Sequence, residues 1–242
     1  MKKIPAKQLT SWSFSRYSDY KQCPLKAKLK HLDKIQEPPN QAMARGGQIH
    51  ELAEHYIKGI LKRLPAELKL FEADFKLMRK QYQKAISGMV VEDTWAFTKT
   101  WDETQWNDWV GCWVRIKLDC AIHHDETALI VRDWKTGKFR PDQNEEYVEQ
   151  LELYALAALL LHEHLEAVEP ELWYLDHGII YPKPENKLVF TREDIPRLKK
   201  LWEKRTKAMM NDKRFAPRPN DKCCWCFYRN SNKANGGGQC QY

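Results

Sequence analysis

Apolar and polar positions repeat with two different periods along this chain, and the switches between them mark out its elements. Helical spacing predicts one helix over residues 13–31, with Ser11 or Ser13 at its start. Pro38-Pro39 breaks the chain before a second helix over about 44–62, which ends near Pro65, and a third covers about 67–87. After an aromatic stretch, "DTWAFTKTWDETQWNDW", the runs "VGCWVRIKLDCAI" and "ALIVRDWK" have the alternation and β-branched content of strands, joined by the polar turn "HHDET". A helix over about 143–165 follows, then a strand "ELWYLDHGIIY", a proline-containing turn, a strand "KLVFT", and a helix over 192–211 opened by Thr191 with acids in its first turn. The tail from Phe215 is rich in Pro, Gly, Asn and Cys, and no internal repeat is evident.

Helices on either side of paired strands make this an α/β chain. Asp119 closes the run "WVRIKLD", and Asp133 lies fourteen residues later near the end of the next strand. A tight antiparallel pairing brings both carboxylates to the same sheet edge. Two carboxylates that close repel unless a cation lies between them, and hard oxygen ligands suit Mg²⁺ or Mn²⁺. In "RDWKTGK" the period of two puts Asp133 and Lys135 on one face and sends Trp134 into the opposite layer. Taken alone, such a pair is also an ordinary salt bridge at a strand end. Upstream, "RGGQIHELAEHY" places Gly46 and Gly47 at a helix start, where the backbone can approach a phosphate, with His50 following. Taken alone, a histidine there is more often a packing residue than a ligand. Gln150 and Tyr154, at i and i+4, meet one neighbouring surface.

Composition narrows the classes. A chain of 242 residues with 43% hydrophobic and 12% aromatic content buries a sizeable core, and we read one domain over 1–242. Within it, 1–90 is a helical amino-terminal part, 91–191 the core, and 192–242 a basic helix with a cysteine-rich tail. The longest apolar run, "YALAALLL", is too short to cross a bilayer, and "MKKIPAKQLTSWSF" lacks the apolar core of a signal peptide. The expectation is a cytoplasmic protein with no membrane partner. The net charge of +7 is unevenly spread: residues 192–222 carry eleven Lys or Arg against five acids, whereas 142–169 carry eight acids and neither Lys nor Arg. A polyanion would be drawn to selected faces. Ten Trp and ten Tyr fit stacking on unpaired bases and fit core packing equally.

Seven cysteines, an odd number, argue against a disulfide framework. Cys112 and Cys120 fall in predicted strands as buried thiols. Cys223 and Cys226 form a C-x-x-C, Cys240 follows three glycines, and Cys23, just before Pro24, is the natural fourth ligand. Zinc and an iron–sulfur cluster both suit such a set.

The ordered set G-x-x-H, D, D-x-K-T-G-K and Q-x-x-x-Y resembles the RecB-like branch of the PD-(D/E)XK nuclease superfamily, and "SFSRYSDYKQCPLKAKLKHL" is similar to that branch's amino-terminal segment. The resemblance implies a restriction-endonuclease-like core, a mixed central sheet flanked by helices, with a cysteine-rich clasp at the carboxy terminus. It implies His50, Asp119 and Asp133 as ligands of Mg²⁺ or Mn²⁺, joined by the backbone carbonyl of Trp134. Lys135 would be the catalytic lysine, oriented with the substrate strand by Gln150 and Tyr154. Iron–sulfur nucleases of this type, the CRISPR-associated exonucleases and the AddB nuclease domain among them, place one cysteine before the core and three after it. That favours a 4Fe-4S cluster on Cys23, Cys223, Cys226 and Cys240, with zinc as the alternative. The implied activity is a metal-dependent exonuclease acting on DNA ends or single strands in repair, recombination or DNA processing. A non-catalytic DNA clamp in a recombination complex is the alternative. The chain has no nucleotide-binding P-loop, so any unwinding would come from a partner such as a helicase or recombinase.

Overall fold

The computed structural model describes residues 8–38, 40–84 and 88–242. These fall into two units, Asn40–Lys200 and the terminal segments 8–38 with 201–242.

The first unit is built on a six-stranded sheet: β1 (Val90–Phe97), β2 (Val114–His123), β3 (Ala128–Lys135), β4 (Ala167–Tyr174), β5 (Ile179–Tyr181) and β6 (Phe190–Thr191). Strand order is β1-β2-β3-β4-β5, with β6 also pairing β4. The short turn after His123 makes β2 and β3 antiparallel, as β1 and β2 are, whereas β3 and β4 are parallel. A parallel step needs a crossover, and α5 (Asn144–Leu161) supplies it. Apolar on nearly every face, α5 is buried from Leu151 to Leu159. The other face of the sheet meets α3 (Gln41–Ile57) and α4 (Glu72–Gln83), where Ile49, Ile57, Phe75 and Met78 pack with Cys120, Trp134 and Trp173. This is the mixed α/β architecture expected of the sequence.

Several boundaries move for identifiable reasons. The helix expected over 13–31 is two, α1 (Phe14–Gln22) and α2 (Pro24–His31), because Pro24 forces Cys23 into an extended conformation (φ −159°, ψ 116°). Asn40 caps α3 through the Met43 amide, three residues earlier than expected, and Gly59 at φ +82° lies just past its end. The third helix opens as a 3₁₀ segment, Ala66–Phe71, and the expected span 67–87 reaches residues 85–87, which lie outside the described ones. β1 starts before the aromatic stretch and takes in only its first five residues, 93–97. The strand expected over 171–181 is a hairpin, β4 and β5, turned at Gly178 (φ +63°).

In the terminal unit, Trp12 stacks on Trp202 of α6 (Ile195–Asn211) with ring centroids 5.1 Å apart, and Tyr17 meets the same ring edge-on at 5.3 Å. Asp19, only 9% exposed, accepts contacts from Lys26, Lys30 and His31 at 2.9, 3.0 and 2.9 Å. Burial alone would raise its pKa; the His31 hydrogen bond and the two lysines outweigh it and hold the carboxyl well below the usual range. Gln8 to the Met210 carbonyl (2.6 Å) and Tyr228 to the Ile35 carbonyl (2.9 Å) tie the first segment to the last.

Candidate metal centre

Sheet register builds the site. Val91 faces Cys120 and Asp93 faces Leu118 across β1 and β2, so Glu92 stands opposite Asp119. Cys120 faces Arg132 across β2 and β3, and one step further Asp119 stands opposite Asp133. Three carboxylates therefore form a row across three neighbouring strands. Opposed residues project to the same face. α3 brings His50 to this row, its Nδ1 3.0 Å from Asp119 Oδ1 and 4.0 Å from Glu92 Oε1. The helix can run this close because Gly46 has no side chain: a Cβ there would sit 3.1 Å from Thr136 Oγ1. Arg45 and the Gly137 amide both hold Asp176, fixing the start of α3 against the turn after β3.

Each member of the sequence-derived set can now be placed. Asp119 Oδ2 accepts the Trp134 backbone N–H at 2.6 Å, so Trp134 turns that edge of its backbone toward the site, while its ring lies in the opposite layer with Phe75 and Trp173. Lys135 Nζ is 2.6 Å from Asp133 Oδ2. Tyr154 donates to Asp133 Oδ1; the Gln150 amide donates to that oxygen at 3.3 Å and to the Tyr154 hydroxyl at 2.8 Å. The fold thus brings His50 to Asp119, and Lys135, Gln150 and Tyr154 to Asp133 on the neighbouring strand; among the described residues the ligand atoms that lie mutually within 4.8 Å are those of His50, Glu92 and Asp119, without Asp133.

Glu92 is the residue that sequence reasoning missed. Its Oε1, with the ligating atoms of His50 and Asp119, forms a group mutually within 4.8 Å. Oε2 is held by Lys117 at 2.6 Å, and Oε1 is buried with no hydrogen-bond partner. A buried carboxylate oxygen left bare beside an imidazole and a second carboxylate is a donor set matched to a hard divalent cation. Its backbone sits at φ +56°, a left-handed conformation that costs a non-glycine residue on the order of 1–3 kcal/mol and persists where function holds it. We expect Glu92→Gly, which relieves that strain and deletes the carboxylate, to weaken Mn²⁺ binding at least tenfold by calorimetry, no less than the ~10–100-fold cost of losing an outer-shell partner of a metal ligand. The metal-free thermal midpoint should not fall. A variant with undiminished affinity would remove Glu92 from the centre.

The electrostatics of the row favour a cation beside the carboxylates. Burial, then the neighbouring Asp133, pushes the Asp119 carboxyl up to about 6 despite hydrogen bonds from His50 and Trp134. For His50, burial opposes the charged form, yet the Asp119 hydrogen bond and the charges of Asp119, Asp133 and Glu92 outweigh it, and its pKa rises. Burial and Asp133 keep Tyr154 protonated, well above the ordinary phenol. The row opens on a cleft of about 510 Å³ bounded by Gly46, Gly47, His50, Glu92, Lys117 and Asp119, large enough for a nucleotide-sized group.

In the terminal unit, Cys23, Cys223, Cys226 and Cys240 line one narrow cavity. Backbone amides of Arg218 and Asn220 donate to the Cys23 and Cys223 sulfurs, each at 3.3 Å. Cys224 is exposed and turned to the Asp221 carbonyl.

The chain is similar to several solved structures, two of which follow. One, from Eubacterium rectale and described as a candidate exonuclease, has a TM-score of 0.50 at 12% identity, over 93% of this chain and 88% of that one. SSO0001 has a TM-score of 0.38 at 14% identity, over 92% of this chain and 85% of that one. No curated protein matches the sequence. The family model of the PD-(D/E)XK nuclease superfamily matches residues 11–231, a span that takes in the carboxylate row, Lys135, Gln150 and Tyr154. This chain belongs to the PD-(D/E)XK nuclease superfamily.

Proposed function

We propose that this protein is a Mg²⁺- or Mn²⁺-dependent exonuclease of the RecB-like branch, hydrolysing phosphodiester bonds at DNA ends or in single strands during repair, recombination or DNA processing. The carboxylate row of Glu92, Asp119 and Asp133, flanked by His50 and Lys135 at the mouth of a cleft, is the observation that carries this reading. His50, Asp119 and Asp133, with the Trp134 carbonyl and Glu92, would hold the cation. When bound, such an ion polarises the phosphate and lowers the pKa of a coordinated water.

The chain's own residues do the rest. Lys135 holds the attacking water and balances the charge that grows on the phosphoryl oxygens. Asp133 fixes the Lys135 ammonium, and Tyr154 with Gln150 fixes Asp133, so the lysine's position is set two contacts away from the scissile bond. Glycines 46 and 47 leave room for the strand to lie against α3. We further propose that Cys23, Cys223, Cys226 and Cys240 hold a 4Fe-4S cluster, that residues 1–242 act as one nuclease domain, and that a helicase or recombinase supplies opened ends in the cytoplasm.

End-labelled DNA, single-stranded and duplex, incubated with Mg²⁺ or Mn²⁺ tests the reading. Stepwise shortening from an end that stops with chelator supports it. Binding without cleavage under either metal overturns it in favour of a clamp, and cuts confined to internal positions overturn its exonuclease part.

A further inference from the structure

Beyond Asp119, β2 outruns β3: pairing with β3 covers only Cys120 to His123, while pairing with β1 continues to Val114. The β1–β2 hairpin is therefore an arm that projects past the carboxylate row. Alternation places Asp119, Lys117 and Arg115 on one face of that arm, and burial follows, with Val114, Ile116 and Leu118 buried while Lys117 is exposed and Arg115 half-buried. The face thus leads from the row through two cations to the hairpin loop.

There the chain exposes large apolar side chains that no core requires. Trp109 is 79% exposed, Val110 99% and Trp106 39%. The loop beneath them is well made: Asp108 accepts from the Thr104 hydroxyl and from the Val110 and Gly111 amides at 2.9, 3.1 and 2.8 Å. Arg115 donates to the Trp106 carbonyl at 2.9 Å, and its guanidinium lies over the Trp109 and Trp106 rings at 5.1 and 5.9 Å from their centroids. An exposed indole backed by a guanidinium offers a flat ring to stack on and a charge for the adjoining phosphate. That pairing answers an unpaired nucleic-acid strand; a protein partner or a second copy would cover the apolar rings and gain nothing from a cationic track leading to a carboxylate site. From Asp119 to Arg115 is four residues, about 13 Å at ~3.3 Å each, or roughly four stacked nucleotides at ~3.4 Å.

We propose that the loop between β1 and β2 is a stacking platform for single-stranded DNA, with Trp109 receiving a base while Lys117 and Arg115 guide the backbone toward the carboxylate row. The proposal rests on the nuclease reading of that row for its direction, and it concerns the loop alone. Fluorescein-labelled oligothymidylate, followed by anisotropy with no divalent metal present, measures it. Trp109→Ala should raise the Kd for the single strand about tenfold, as expected for loss of one base–aromatic stack. Trp109→Phe should restore most of that loss, a blunt duplex should be affected less than twofold, and the dependence of log Kd on log salt should keep its slope, because no phosphate contact is lost. Single-strand affinity within twofold of wild type in Trp109→Ala overturns the platform, as does wild-type protein that binds no oligothymidylate, or a variant whose only change is its self-association. Wild-type protein that cuts DNA while Trp109→Ala binds normally sinks the platform alone. Trp109-dependent binding by a protein that never cuts sinks the nuclease reading alone.

Discussion

Lys135→Met is expected to lower the cleavage rate by about two to three orders of magnitude, the usual cost of removing one preorganised charge that stabilises a transition state, while DNA affinity stays within twofold. The substitution keeps the length of the side chain and removes only its ammonium. Because Lys135 lies 2.6 Å from Asp133, and the Asp133 side chain is only 8% exposed, the variant also leaves a shielded carboxylate without its partner and should melt at a lower temperature. The double variant Lys135→Met/Asp133→Asn, which removes both charges, should recover that stability while staying inactive, because Asp133 is itself a proposed cation ligand. A single variant that cuts within threefold of wild type would rule out the assignment. Lys135→Arg should remain strongly impaired, since a planar guanidinium does not place a point charge where an ammonium does.

The part of the site legible in the sequence is the part governed by short-range periodicity. A four-residue turn after β2, residues 124–127 within "HHDET", fixes an antiparallel register, so Asp119 and Asp133 stand opposite one another. The period of two separated Lys135 from Trp134, and the i, i+4 spacing put Gln150 and Tyr154 on one side of α5, where both reach Asp133. The helical spacing over 13–31 conceals the break at Pro24, the neighbour of Cys23, which divides α1 from α2.

Glu92 was hidden for the opposite reason. In "VVEDTWAF" three polar residues in succession interrupt the alternation by which a strand is recognised, and β1 was lost with them. The interruption is the site itself: Glu92 bends out of ordinary strand geometry at φ +56° to face Asp119. Local rules fail where a residue is placed for chemistry rather than for its element. The division of β4 from β5 had a visible cue in Gly178, and β4 begins earlier than expected because Pro170 stands within it, a residue that argues against a strand until the pairing with Val131 is seen.

The second large effect is expected at the cysteines. Cys226→Ala is expected to lack the brown colour, iron and acid-labile sulfide of the proposed cluster, and to melt several degrees below the wild type. The terminal unit joins segments two hundred residues apart in the chain, Cys23 on one and Cys223 on the other, and a covalent closure of that length is worth on the order of 5 kcal/mol if disulfide-type loop entropy applies. Without it the unit keeps the Trp12–Trp202 stack and the Asp19 cluster, so it should loosen rather than unfold outright. Burial, followed by the charges of Cys23 and Cys223, disfavours ionisation of the Cys226 thiol, although the Tyr228 amide favours it; a bound cationic core reverses that balance by keeping the sulfurs as thiolates. Cys224→Ala, whose sulfur turns to the Asp221 carbonyl, should change neither colour nor midpoint. Stoichiometric zinc in place of iron would transfer the clasp to the other metal, and an unchanged spectrum and midpoint in Cys226→Ala would remove the clasp altogether.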